Sequence, residues 1–275
     1  MLPNLWGGET RDPASVYREG KRWLEDHPED QSVRSLVLAA IEGTDLEGGA
    51  YYFSLASQDL QNDRSFVLEA VRLARKATIL EVVAERFQND REVVLAAVQS
   101  KGRELEYASE RLQNDREVVL DAIDEDPMAF SFASSALQND REIVMRVISD
   151  DRLHPYYGSE YEVLAHVSEE LRNDREVVLA AVRRNGFELD NASEELKDND
   201  EVVAEAVFAA RDVRANAGDV FHLASEAQRR KYETWERDYV KEWEEMYKGT
   251  EYEEESISKK EVYDHFWEMY KQSVS

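Results

Sequence analysis

The chain has 275 residues, of which 60 are acidic and 34 basic, and its formal net charge is −26 at pH 7. Apolar residues make up 42% of it, enough for a hydrophobic core, so the sequence is not that of a disordered acidic tail. The chain has no cysteine, which excludes disulfides, thiolate zinc sites and a cysteine nucleophile.

Charge and hydropathy also limit location and partners. No apolar run approaches the roughly 20 residues that a bilayer-spanning helix needs, and residues 1–9 lack the basic and apolar regions of a signal peptide. We therefore expect a cytoplasmic protein without membrane association. Direct nucleic-acid binding is not expected, because phosphate contacts need Lys and Arg. The charge favours a protein partner with a basic surface.

The first predicted element is a helix within residues 1–29. Asp12 can cap it, Pro13 suits its first position, and Pro28 ends it. Its apolar residues would lie on one face. We interpret residues 1–29 as an N-terminal cap segment that covers the first of the helices after it.

A tandem repeat occupies the middle of the chain. Its mark is the tetrad Gln-Asn-Asp-Arg, whose aspartates recur at intervals of 27, 25, 25, 34 and 26 residues, so the unit is about 25 residues long with insertions. The tetrads and their weaker copies are Gln61–Arg64, Gln88–Arg91, Gln113–Arg116, Gln138–Arg141, Arg172–Arg175 and Asp198–Glu201.

Each unit predicts two short helices. Asp90 is a good N-cap for a first helix whose run Val93–Val98 is apolar almost all round, as expected for a helix buried between neighbours. Gly102 then ends that helix, and Pro127 stands at the same place one unit later. A second helix would come next, with a narrow apolar stripe made of Leu105, Ala108, Ser109 and Leu112.

These units predict an all-α fold, an α-solenoid of about seven helical hairpins over residues 30–228. A single hairpin cannot bury its own apolar face, so the units must stack. The pattern N-D-R-E-V-V-L-x-A-V followed by L-x-x-A-S-E-x-L resembles a tandem helical-repeat family of unknown function over about residues 61–196. The resemblance implies a helical repeat fold and no particular chemistry.

The tetrad itself is most simply explained by helix capping. Its arginines are unusual, because the helix dipole disfavours a cation at a helix start. We expect each to pair with an acid of the neighbouring unit, such as Glu85, Glu110 or Glu170. These arginines are Arg64, Arg91, Arg116, Arg141 and Arg175.

Two stretches of the repeat are candidate partner contacts. Four acids without a base lie between residues 121 and 126, namely Asp121, Asp124, Glu125 and Asp126. Such a run can equally be an ordinary solvated face. An insert at residues 151–158 carries His154, Tyr156 and Tyr157, and inserts in repeat proteins often map to the binding face. A tolerated surface loop is the alternative.

Residues 229–275 predict an aromatic helical hairpin. From residue 232 to 275, 10 of 44 residues are aromatic, against 27 in the whole chain. The hairpin could cap the last repeat, or could dock a partner or a second copy, because Trp and Tyr dominate interface hot spots. The candidate contact residues are Trp235, Tyr239, Trp243, Tyr247, Phe266 and Trp267.

No motif of catalysis or cofactor binding is present. The five histidines lie far apart, and Glu162 with His166 is the one helical i, i+4 pair, which favours a surface contact over a metal ligand pair. We therefore expect no enzyme, no cofactor and no metal site. The leading hypothesis is a non-catalytic interaction module that binds a basic protein. The alternatives are a nucleic-acid mimic that inhibits a nuclease or defence complex, and an assembly subunit that docks through its C-terminal hairpin.

Overall fold

The computed structural model describes residues 34–43, 48–74, 77–153, 161–210, 220, 222–248 and 265. Within these ranges the regular structure is helical and contains no β-strand, which confirms the all-α prediction and is consistent with an α-solenoid. The predicted cap segment, residues 1–29, lies outside the described residues.

The helices fall into two compact units by their contacts, residues 1–137 and 138–275, and the boundary lies within a four-residue helix. The α-helices in chain order are α1 Arg34–Glu42, α2 Gly48–Leu55, α3 Gln58–Gln61, α4 Arg64–Leu73, α5 Glu85–Gln88, α6 Arg91–Ser100, α7 Glu110–Gln113, α8 Arg116–Glu125, α9 Ser135–Gln138, α10 Arg141–Ile148, α11 Glu169–Arg172, α12 Arg175–Arg184, α13 Glu194–Lys197, α14 Asp200–Ala210 and α15 Glu226–Tyr247. The 3-10 helices are Gly102–Tyr107, Pro127–Phe132, Asp151–Leu153, Leu164–His166 and Gly186–Asn191.

The repeating unit is a long helix, a 3-10 turn and a four-residue helix, so the prediction of one continuous second helix is wrong. In the unit that begins with α6, the 3-10 helix ends at Tyr107 and α7 begins at Glu110. Ala108 and Ser109 between them are extended, with ψ of 152° at both residues. Two extended residues cannot continue a helix.

The predicted stripe is nevertheless buried. Leu105, Ala108 and Leu112 belong to the core, whereas Ser109 lies at its edge and directly precedes α7. The spacing identified the inward side of this segment, but it did not distinguish one helix from a turn followed by a shorter helix. The 3-10 turn and the short helix together bring the same residues to the same side.

In the first unit, residues 1–137, the long helices α1, α4, α6 and α8 pack side by side in chain order. Their buried faces are made of Val, Leu, Ala, Ile and Phe. The turn Gly102–Tyr107 packs against both α6 and α8. Gly102 is needed there because a Cβ at this position would lie 2.3 Å from the carbonyl oxygen of Ala122 in α8.

In the second unit, residues 138–275, α10 packs on α12 and α12 on α14. Gly186 repeats the close approach, since its Cβ would lie 2.2 Å from the carbonyl oxygen of Ala206. Helix α15 starts where the short helix of a further unit would start: Ser225 caps it, and the Ser225 amide donates to the carbonyl of Lys197. This helix then continues for 22 residues.

Candidate partner-binding surfaces

The aspartate of each tetrad caps its own long helix, as the sequence predicts. Asp90 Oδ1 accepts from the amides of Glu92 and Val93, at 3.1 and 3.3 Å. These bonds satisfy amides that have no partner within the helix. The aspartates that cap in this way are Asp63, Asp90, Asp115, Asp140 and Asp174.

The arginine of the tetrad reaches the cap of the next unit. Arg64 donates from Nε to Asp90 Oδ2 at 2.6 Å and from a terminal nitrogen to Glu92 Oε2 at 2.8 Å. Arg91 pairs in the same way with Asp115 and Glu117. The hydrogen bond from Arg64 lowers the pKa of Asp90, and the one from Arg91 lowers the pKa of Asp115. An arginine is tolerated at the helix start because two carboxylates of the next unit surround it.

The expectation of an acidic partner in the neighbouring unit is thus confirmed for these arginines, but the partners named for it are wrong. The acids are the cap and the first-turn glutamate of the next long helix, not Glu85, Glu110 or Glu170. In the second unit, Arg141 contacts Asp174 and Glu176, and Arg175 contacts Glu201.

The glutamine and asparagine of the tetrad complete this arrangement. Gln113 Nε2 donates to the carbonyl of Leu105 at 3.1 Å and so ties the short helix to its own turn. Asn89 Oδ1 accepts from Ser109 Oγ at 2.8 Å and from Arg111 Nε at 2.9 Å, both in the next unit. All four residues of the tetrad therefore have structural partners, which supports capping and inter-unit bonding as its role.

The last copy of the tetrad is one residue out of the predicted register. Asn199, not Asp200, accepts from the amides of Glu201 and Val202 and caps α14. The spacing from Asp174 to this cap is 25 residues, like that of the regular units. Asp200 takes the place of the arginine, and it accepts from Lys231 Nζ of α15 at 2.7 Å.

One surface of the first unit remains open to solvent. Helices α4, α6 and α8 each bury one face and present the other, and the residue five positions after each cap is half-buried on the open face. These residues are Leu68, Leu95 and Leu120. They form an apolar stripe across three neighbouring helices, which we call the leucine stripe.

A groove of about 600 Å³ runs beside the leucine stripe. Arg72 of α4 lies on one side of it, and Leu95 and Gln99 of α6 lie on the other. A terminal nitrogen of Arg72 lies 3.6 Å from Glu92 Oε1 at the groove. The groove therefore combines aliphatic surface with charged groups that are largely exposed.

The four predicted acids lie at the end of α8, next to the leucine stripe, and they differ in their roles. Asp121 accepts from Gln99 Nε2 at 2.7 Å, and Glu125 accepts from the Gly102 amide at 2.5 Å. Asp126 caps the turn Pro127–Phe132 and accepts from Arg103 Nε at 2.8 Å. Asp124 is exposed. Glu125 thus holds the turn of the preceding repeat and Asp126 the turn of its own repeat, whereas Asp121 and Asp124 belong to the open face.

The aromatic candidates are only partly described. Trp235 and Tyr239 stack on α15 with ring centroids 5.4 Å apart, and the His265 ring lies 4.1 Å from Tyr239. Trp243 and Tyr247 belong to α15, but their side chains lie outside the described part of the chain. Phe266, Trp267, His154, Tyr156 and Tyr157 also lie outside it.

The predicted helical pair of Glu162 and His166 does not form. Only Leu164–His166 is helical there, as one 3-10 turn. Glu162 instead accepts from Asn191 Nδ2 at 2.6 Å, and His166 stacks on Tyr161 with ring centroids 5.1 Å apart. Burial, with a smaller contribution from Arg172, lowers the pKa of His166.

Two features were missed by the sequence reasoning. The leucine stripe was missed because a run that is apolar all round does not reveal its exposed side. The buried glutamates Glu104 and Glu188 were missed too, although both follow a turn glycine by two residues, where the unit after Glu104 has Ala129.

Within the described ranges, no three His, Asp or Glu side chains are placed to hold a metal ion. None of the described helices is both long and apolar enough to cross a membrane.

The model of one protein family matches four overlapping stretches, residues 75–113, 115–160, 154–197 and 175–208. Its description is "Domain of unknown function (DUF4116)". Repeated matches to one model are consistent with a repeat family of unknown function, as the resemblance implied. Neither the curated proteins nor the solved structures gave a match.

Proposed function

We propose that this chain is a non-catalytic protein-interaction module, and that the open face of α4, α6 and α8 binds a protein partner with a basic surface. The observation that supports this most is the leucine stripe, in which three neighbouring helices leave a leucine half-exposed at the same position. Apolar surface rimmed by polar groups is typical of interaction sites.

Charge suggests the kind of partner. The rim of the stripe at α8 carries Asp121 and Asp124, and no basic residue lies between residues 117 and 126. Both acids lie in the second half of α8, where the helix dipole disfavours anions. A partner segment with Lys or Arg beside apolar residues would complement this surface, with fast and salt-sensitive association.

The remaining architecture belongs to the same proposal. About seven stacked hairpins, a cap helix within residues 1–29 and a helical hairpin within residues 229–275 would serve as an interaction scaffold. A cytoplasmic location and the absence of catalysis also remain predictions.

Nucleic-acid mimicry receives less support. Mimicry needs regularly spaced carboxylates that are free to meet a basic groove. The acids that recur at each unit, such as Asp90, Glu92, Asp115 and Glu117, are paired with the arginines of the preceding unit.

Docking through α15 is a second candidate function. Trp235 and Tyr239 stack while each stays half-exposed, four residues apart on one side of a long helix. Sedimentation at micromolar concentration would detect self-association, and Trp235→Ala should abolish it. A protein that is monomeric with or without this substitution would remove the candidate.

The test of the main proposal is a quantitative pull-down with matched charge reversals. Asp121→Lys with Asp124→Lys alters the open face, and lysine suits the second half of a helix. Glu85→Lys with Glu110→Lys makes the same change in net charge on the short helices, where both side chains are exposed. We expect only the first pair to release the partner captured at low salt. Equal loss with both pairs would mean that net charge, and not this face, holds the partner.

A further inference from the structure

Two carboxylates are buried in the core with the same geometry. Glu104 and Glu188 each have only 3% of their surface exposed. Both are the third residue of a 3-10 turn, Gly102–Tyr107 in the first unit and Gly186–Asn191 in the second. The same arrangement therefore occurs twice, in separate parts of the chain.

Each carboxylate bonds two consecutive amides of the preceding repeat. Glu104 accepts from the Ile79 amide at 2.8 Å and from the Leu80 amide at 3.0 Å. Glu188 accepts from the Val163 amide at 2.6 Å and from the Leu164 amide at 2.9 Å. A single side chain thus joins two neighbouring repeats at each place.

The repeat that follows Glu104 shows what these glutamates replace. Its turn, Pro127–Phe132, carries Ala129 at the glutamate position. The amide of Glu104, which is the counterpart of the Ile79 amide, donates to the carbonyl of Lys101 at 2.9 Å within its own turn. Alanine therefore stands in the repeat after a turn whose amide bonds within that turn. Glutamate stands in the repeat after each of the two turns whose amides donate to the next repeat.

The surroundings of both carboxylates are mainly apolar. Helices α6 and α8 bring buried Val, Ala and Ile residues to the turn of Glu104, and α12 and α14 bring Val, Ala and Leu residues to the turn of Glu188. The charged or titratable groups that act on Glu104 are Lys101, Glu81 and Tyr107, and the one that acts on Glu188 is Glu162. Lys101 Nζ itself donates to Thr78 Oγ1 at 2.8 Å.

An ionised carboxylate in such a place is costly, because two neutral amides do not replace its hydration. Burial raises the pKa of both Glu104 and Glu188 to about 7, against an ordinary value of 4.5. A neutral carboxyl is much cheaper to bury: its carbonyl oxygen still accepts one amide, and the desolvation that protonation avoids outweighs the second amide bond, which the protonated oxygen gives up. When the turn opens, water hydrates the carboxylate and the ordinary pKa returns. The closed turn therefore binds a proton from solvent more tightly than the open one.

We propose that Glu104 and Glu188 are proton-linked latches between adjacent repeats. Protonation holds the segments Ile79–Leu80 and Val163–Leu164 closed against the next repeat, and ionisation favours their local opening. The stiffness of the repeat array at these two places then depends on pH near neutrality. This inference does not depend on which surface binds a partner.

Hydrogen exchange resolved to single amides tests the latches in the intact chain. Protection at Leu80 and Leu164, corrected for intrinsic exchange, should fall by about 30-fold between pH 5.5 and 8.5, as a proton affinity that differs between closed and open turns requires. The amide of Phe130, in the turn that carries Ala129, is the internal control and should not show this fall. Glu104→Gln should remove the pH dependence at Leu80 and leave it at Leu164, and Glu106→Gln, on the exposed side of the same turn, should change neither.

Protection at Leu80 and Leu164 that stays constant with pH, or that changes in parallel with Phe130, would overturn the proposal. This comparison within the unmodified protein needs no variant to fold. A pH dependence at Leu80 that persists in Glu104→Gln would also overturn it, because another group would then be responsible.

Discussion

Replacing Gly102 by alanine should destabilise the protein, although glycine-to-alanine changes are usually stabilising at sites with room for the methyl group. At such sites the change gains about 0.4–1 kcal/mol, because it restricts the unfolded chain. The backbone φ of Gly102 lies outside the left-handed region, so its conformation alone would permit alanine. Alanine is excluded because its methyl group would have no room between the turn and α8.

The magnitude follows from three contacts. The added Cβ would lie 2.3 Å from the carbonyl oxygen of Ala122, 2.9 Å from the amide nitrogen of Asp126 and 3.1 Å from the Asp126 Cβ. An ordinary carbon–oxygen contact is about 3.3 Å or longer, so the turn and α8 must separate by about 1 Å. Overpacking of this kind costs about 1–3 kcal/mol, and we expect the upper end because the two closest atoms belong to the backbone.

Urea unfolding followed by circular dichroism measures this loss. Gly102→Ala should lower the midpoint, and Gly186→Ala should do the same, because its Cβ would lie 2.2 Å from the Ala206 carbonyl oxygen. Glu106→Ala in the same turn is the control, since Glu106 is exposed and should change stability by less than about 0.5 kcal/mol. An unchanged or raised midpoint for Gly102→Ala would show that the steric explanation is wrong, because it would mean that the turn and α8 can separate freely.

Three further predictions concern the caps, the core and pH. Asp115→Ala should lower the free energy of unfolding by about 1 kcal/mol, because the helix loses its cap. Asp115→Asn should lower it less, because asparagine caps equally well and only the pairing with Arg91 weakens. Equal urea midpoints for the two variants would contradict this. Leu105→Ala should lower the free energy of unfolding, measured by urea, by about 2–5 kcal/mol, because Leu105 is fully buried. A smaller loss would mean that the core collapses around the gap. Stability should be greatest at about pH 4 to 5 and should fall on both sides of that range. Arg91 lowers the pKa of Asp115, so the contribution of Asp115 is lost as pH falls below the ordinary range of an aspartate. Burial raises the pKa of Glu104 from 4.5 to about 7, so its contribution of about 3 kcal/mol is full below pH 4.5 and is lost as pH rises from there through 7. Melting curves of Glu104→Gln should therefore depend less on pH above pH 5 than those of the unmodified protein, and identical slopes would contradict the assignment.

The long helices could be predicted from local sequence because their signals are local. An aspartate that caps, a glutamate in the first turn and an apolar run of six residues all lie within one segment, and they specify a helix whatever its neighbours do. Gly102 and Pro127 likewise marked the end of each helix. The reason for glycine at residue 102 was not visible, because it depends on the Ala122 carbonyl in the next repeat.

The second half of the unit could not be predicted in detail, because one spacing fits two structures. Leu105, Ala108 and Leu112 reach the core from a 3-10 turn and a short helix as well as they would from one helix. The break follows from the extended conformation of Ala108 and Ser109, which is tied to the bonds of Ser109 with Gln88 and Asn89 of the preceding repeat. Such contacts between repeats cannot be predicted from the local sequence.

The candidate surface was predicted only in part, for the same reason. Asp121 and Asp124 were identified from charge alone, but Glu125 of the same run bonds the preceding turn at Gly102, and Asp126 caps the turn that follows. The leucines of the open face look like core residues in the sequence. Their exposure follows from the packing of α4, α6 and α8, in which each helix meets its neighbours with another side.

Partner binding at the open face of α4, α6 and α8 is the proposal on which the function of this chain depends. Hydroxyl-radical footprinting of the chain, with and without the partner captured by pull-down, is the decisive experiment. We predict that the partner protects Leu95, Leu120 and the surrounding segments 92–100 and 117–125. Protection confined to the short helices 85–88 and 110–113, or to α15, with the leucines as reactive as in the free protein, would contradict the proposal.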